Sequence, residues 1–118
     1  MDDELDKALV RLRDGGLGSF PPDDLPALRD RSVELGEQLD AAWPFVLASA
    51  IDELWGCWEY LDRESGQGVP TAVVHSLDAA VRDPISAIVA SRRKTERLAS
   101  CRGLRTVVRE TLAVADPL

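Results

Sequence analysis

Apolar residues recur every three or four positions along the whole chain, and no stretch alternates in the two-residue rhythm of a strand. Leu5, Leu9 and Leu12 form the first stripe. With Asp2, Asp3, Glu4 and Asp6 at the positive end of the helix dipole, they predict a helix from about Asp3 to Asp14, stopped by Gly15 and Gly16. A second helix is predicted from Asp23 or Asp24, both good N-caps, with Leu25, Leu28, Leu35, Leu39 and Ala42 on its buried face. The pair Trp43-Pro44 should end it, because a proline ring clashes with the preceding turn and disfavours helical geometry at the residue before it.

The strongest period follows, from about Pro44 to Glu64. Leu47, Ile51, Leu54, Trp58 and Leu61 keep one face, flanked by Trp55, and this is expected to be the central helix. Residues 65–68 read as a turn. Pro70 opens a fourth helix carrying Val73, Val74, Leu77, Ala80 and Val81, and Asp83-Pro84 reads as an N-cap and first-turn proline that start another. Ile85, Ile88 and Val89 occupy one face. Leu98, Cys101, Leu104, Val108 and Leu112 occupy another, so a kink or break is expected between Ser91 and Arg97. The expected fold is a single all-α domain over residues 1–118, an antiparallel bundle of five or six helices.

The length suits one domain with a core that needs neither metal nor disulfide. Cys57 and Cys101 lie among apolar neighbours outside any CxxC pair and read as reduced, buried thiols, although spacing alone leaves a bridge between them open. The first residues lack the basic and apolar regions of a secretory signal, and no apolar run is long enough to span a bilayer, which makes the cytoplasm the expected compartment. Twelve arginines against two lysines, with no asparagine, point to a GC-rich, bacterial coding origin.

The net charge of −7 is unevenly spread: residues 1–64 hold 16 acids and 6 bases, residues 65–118 hold 5 acids and 8 bases. An acidic chain is repelled by nucleic acid and by anionic membranes, so any such binding has to be local. The local candidate is the basic segment running from Arg92 to Arg109. Arg102, Arg105 and Arg109 line one side of the last helix, as in a helix that contacts phosphates; alternatively these arginines pair with the acidic helices.

Glu34-x-x-Glu37 is followed, 21 residues later, by Glu59-x-x-Asp62. This resembles the ExxE…ExxD signature of the all-α nucleoside triphosphate pyrophosphatases of the MazG type. The resemblance implies four carboxylates holding Mg²⁺ on the substrate's phosphates. A turn at Trp43-Pro44, however, leaves the two pairs offset by roughly 13 Å along the hairpin at ~1.5 Å per residue. His75, with Asp78 three residues on, has the spacing of an oriented general base, yet it falls opposite the apolar face and no nucleophile lies nearby in sequence. One histidine and two separated cysteines give no zinc ligand set, and no phosphate-binding glycine loop is present.

With no chemistry-bearing motif firmly placed, and with apolar and aromatic helix faces abundant for so short a chain, the expected function is non-enzymatic binding of another protein or of a second copy of this chain as a homodimer. The expected roles are a regulatory or adaptor subunit, or an antitoxin-like or immunity-like neutraliser. Trp43, Trp55, Asp52, Glu53 and Glu59 are the candidate contacts, since tryptophan dominates binding hot spots and acids complement basic partners. No cofactor is expected.

Overall fold

A computed structural model of the chain describes residues 3–19, 24–66 and 70–115. These form five helices and, among the described residues, no strand: α1 (Asp3–Ser19), α2 (Asp24–Leu39), α3 (Trp43–Ser65), α4 (Thr71–Ala90) and α5 (Lys94–Ala115).

Each boundary has a local cause. α1 kinks at Gly16, whose φ of 73° only glycine adopts freely, and the side chain of Asp78 fills the space a Cβ would need there. α2 stops at Leu39, three residues earlier than the proline rule suggests. Asp40 turns left-handed (φ 50°) and the Ala41 N–H donates back to the Gly36 carbonyl at 3.4 Å, a Schellman-type closure. Pro44 then opens α3 instead of ending α2. Leu39, the last residue of α2, and Ala42, beyond its end, both expected on the buried face, are exposed. α3 closes on Gly66 with φ 66°. The expected break before Arg97 is found at residues 91–93, where Ser91 is extended (ψ 130°) and its hydroxyl donates to the Ala87 carbonyl at 2.6 Å.

At Asp83-Pro84 the expected new helix does not begin, and α4 runs straight through. Leu77, Val81, Ile85 and Ile88 are all buried along a single line. An interior proline costs about 3 kcal/mol. Keeping Ile85 and Ile88 buried is worth roughly 1.5–3 kcal/mol each, so packing offsets the loss.

The helices close into a ring in the order α1, α2, α3, α5, α4. Neighbours run antiparallel wherever the chain alternates: Arg11 meets Asp24 across α1/α2, Arg29 meets Asp52 across α2/α3, and Arg13 meets Ser86 across α1/α4. A ring of five cannot alternate throughout. The parallel pair is α3/α5, where Trp43 meets Arg97 near both N-termini and Glu53 meets Arg109 about three turns on. No helix is therefore central. α3 is one wall, packed on α2 and α5, with Leu47, Ile51 and Leu54 facing the shared core and its opposite side facing out. Among the described residues, no helix is long and apolar enough to cross a membrane.

Candidate functional site

The outward side of α3 carries Asp52, Trp55, Gly56 and Glu59, which fall within roughly 100° of helix circumference at ~100° per residue. Trp55 is half-buried and leans on the core, while Asp52 and Glu59 are exposed. A Cβ at Gly56 would meet nothing within 4 Å, so the backbone next to Trp55 in the chain faces open space. Arg29 of α2 fixes one edge. Its guanidinium carbon lies 5.9 Å from the centroid of the Trp55 ring, and its Nη1 donates to Asp52 Oδ1 at 2.8 Å. The bonds to Asp52 and then to Asp30 raise the pKa of Arg29. This edge is an ordered arginine–tryptophan–carboxylate cluster on the surface, and those are the residue types on which binding energy concentrates.

Glu53 sits one step round the helix and faces α5. It accepts from Arg109 Nε at 2.8 and 3.0 Å, and Arg109 Nη2 lies 2.7 Å from its Oε1, which raises the arginine's pKa. Of the candidate nucleic-acid row, Arg109 is thus paired with Glu53 while staying exposed, Arg102 is exposed and Arg105 is half-buried. Pairing with an acidic helix, the alternative anticipated for these arginines, is what the geometry has at Arg109.

Trp43, a candidate contact by residue type, is 2% exposed and belongs to the core. A partner cannot touch it without opening the bundle. It is covered by Arg97, whose guanidinium carbon lies 4.8 Å from the ring centroid and whose own exposure is 1%. Arg97 Nη1 donates to Asp6 Oδ1 of α1 at 3.0 Å and Nη2 to the Ser91 carbonyl at 3.4 Å, so one side chain ties α1, α3, α4 and α5 together. In the sequence Arg97 belongs to the basic segment from Arg92 to Arg109, with no sign there of burial. The signal that finds it is its spacing: positions 97, 101, 104 and 108 keep the period of the buried stripe, with Arg97, Cys101, Leu104 and Val108 all inside. Cys101 is a free, buried thiol whose pKa burial pushes up to about 12 against the opposing pull of Arg97; Cys57 lies outside the described side chains.

The acid quartet does not assemble. Gly36 packs on Phe45 and Arg29 pairs with Asp52, a register that sets Glu34 level with residue 47 of α3. Glu59 is twelve residues further along, roughly 18 Å at ~1.5 Å per residue. Glu34 is exposed, 3.5 Å from Arg31 Nη1, and accepts from Gln38 at 3.4 Å. The side chain of Asp62 lies outside the described residues. Among the described residues, no three of His, Cys, Asp and Glu are grouped to hold a metal ion, so the carboxylates present do not fit the Mg²⁺ that the resemblance implies. His75 is exposed, and the carboxylate of Asp78 is turned toward Gly16 of α1.

Compared with protein-family models, curated proteins and solved structures, the chain matches none of them.

Proposed function

We propose that the protein is a non-enzymatic helical binding module that holds a basic segment of a partner protein on the outward face of α3. The observation that carries this reading is the line Asp52–Trp55–Glu59, a half-buried indole between two exposed carboxylates, with the open Gly56 backbone at its side. A basic segment lying along this face gains Glu59 and the exposed part of the ring, and shares Asp52 with Arg29. The occupant is basic because residues 1–64, which include this face, carry 16 acids against 6 bases. Such a surface suits an adaptor subunit or an immunity-like neutraliser, working in the cytoplasm of a bacterial cell.

The test compares the natural chain with an Asp52→Lys/Glu59→Lys variant, each immobilised and exposed to host lysate. Both substitutions are on exposed side chains, and losing the Arg29–Asp52 pair costs less than about 1 kcal/mol, so the variant stays folded. The expected result is a basic protein retained by the natural chain, released as salt rises, and absent from the variant. Retention of the same proteins by both forms contradicts the reading. So does a stable homodimer whose interface covers α3.

A further inference from the structure

The α2/α3 and α4/α5 turns meet at one end of the bundle, because α3 and α5 both start there, and a pocket of about 260 Å³ opens between them. Among the described residues its walls are Leu39, Trp43, Arg92, Arg93, Lys94 and Arg97, four cations and two apolar side chains with no acid. In a chain of net charge −7 this is a local inversion of sign. The side chains of Arg92, Arg93 and Lys94 are exposed and make no ion pair among the described residues. Their one acidic neighbour in sequence, Glu96, accepts from the Arg92 backbone N–H at 3.4 Å. Asp6, which lies outside the lining, holds Arg97 Nη1.

The surroundings strengthen the positive potential of this lining. The pocket sits at the positive end of α5, a 22-residue helix. Arg97, which lines it and is almost wholly buried, has its Nε enclosed with no hydrogen-bond partner among the described residues. That nitrogen is sealed from solvent, so Arg97 adds its positive charge from beneath the lining, while the exposed Arg92, Arg93 and Lys94 are the groups an anion can reach.

We propose that this pocket binds a phosphate-bearing small molecule, its oxyanion held by Arg92, Arg93 and Lys94 over a floor of Arg97 and Trp43. A phosphate offers three acceptor oxygens and close to two negative charges, which matches three converging cations better than a carboxylate does. Leu39, an exposed side chain, supplies an apolar wall for the organic part of a monoester. The site is separate from the α3 face and stands or falls apart from it.

The test titrates the full chain with inorganic phosphate and with pyrophosphate, ionic strength held constant with chloride, while backbone amide shifts are followed. A second arm sediments the protein with phosphatidylcholine vesicles with and without phosphatidic acid. Saturable shifts confined to residues 92–97 and the Trp43 indole, weakened about a thousandfold in Arg92→Ala/Arg93→Ala/Lys94→Ala, support the proposal, since each lost charge-assisted bond is worth roughly tenfold or more. Sedimentation only with phosphatidic acid, lost in the same variant, supports the same chemistry with a lipid headgroup as its source. No saturable response in either arm overturns the proposal. Equal binding by the triple variant, or a preference for single-stranded DNA over pyrophosphate, overturns it as well. All three substitutions fall on exposed side chains, and a circular dichroism spectrum verifies that the variant folds.

Discussion

The pair Arg97–Asp6 makes an asymmetric prediction, because its two ends are buried to different depths: 1% exposure for the arginine and 24% for the aspartate. Replacing Arg97 with Met keeps most of the stem's volume and removes the ion pair and the contact with Trp43. Asp6 is left where water can reach it, so the cost is about 1–2 kcal/mol. Replacing Asp6 with Ala strands a buried guanidinium with the Ser91 carbonyl and the Trp43 ring as its remaining contacts. Breaking a buried pair from that side costs roughly 3 kcal/mol, at the lower end of the usual range because water enters where Asp6 stood. The double variant carries no stranded charge and should cost about as much as Arg97→Met alone. In a 118-residue chain, 1 kcal/mol shifts Tm by roughly 4 °C, so the expected drops are about 12 °C for Asp6→Ala and about 4–8 °C for the other two. Thermal unfolding followed by circular dichroism at neutral pH measures all three. If Arg97→Met is the more damaging single change, or if the double variant costs the sum of both, the reasoning fails.

Further expectations concern the glycines and the buried thiol. Gly56→Ala and Gly103→Ala place a Cβ in open space inside a helix and should each stabilise by about 0.5–1 kcal/mol. Gly16→Ala, at φ +73° with a Cβ 2.7 Å from Asp78 Oδ2, and Gly36→Ala, 2.8 Å from the Phe45 ring, should each destabilise by about 1–3 kcal/mol in the same unfolding assay. Cys101 keeps its proton to about pH 12 in the folded chain, against an ordinary value of 9.0. Between those values unfolding releases a proton, so this contribution to stability is whole below 9.0 and is lost as pH rises toward 12, by up to about 1.4 kcal/mol per pH unit. Cys101→Val should flatten that slope; an identical alkaline slope in both forms would show the thiol is not its source. Peptide-resolved alkylation at neutral pH should find Cys101 unmodified in the folded chain.

Helix number and most breaks were legible in the leucine periods, because each helix buries one face and that burial dominates its stability. Where local and tertiary signals conflicted, the local one misled. Pro84 reads as a helix start, but the line Leu77–Val81–Ile85–Ile88 already carried the opposite message in its 4-4-3 spacing. Trp43-Pro44 marks the right corner, yet the chain leaves α2 at Asp40 through a left-handed residue that no periodicity announces. The parallel α3/α5 pairing follows from ring closure and is absent from any one helix's pattern. Of the candidate contacts, Asp52, Trp55 and Glu59 share a face by helix geometry alone, whereas Glu53 is engaged by Arg109 from a helix distant in sequence. Trp43 was misplaced because residue type suggested a hot spot while its depth is set by Arg97 folding over it.

Hydrogen exchange on the complex with a captured basic partner tests the functional reading most directly. The account predicts added protection in peptides covering residues 50–60 of α3 and at Arg29, with α4 unchanged. Protection concentrated instead along the groove lined by Ala72, Ser76, Ala79 and Thr111, with α3 unaffected, would contradict it.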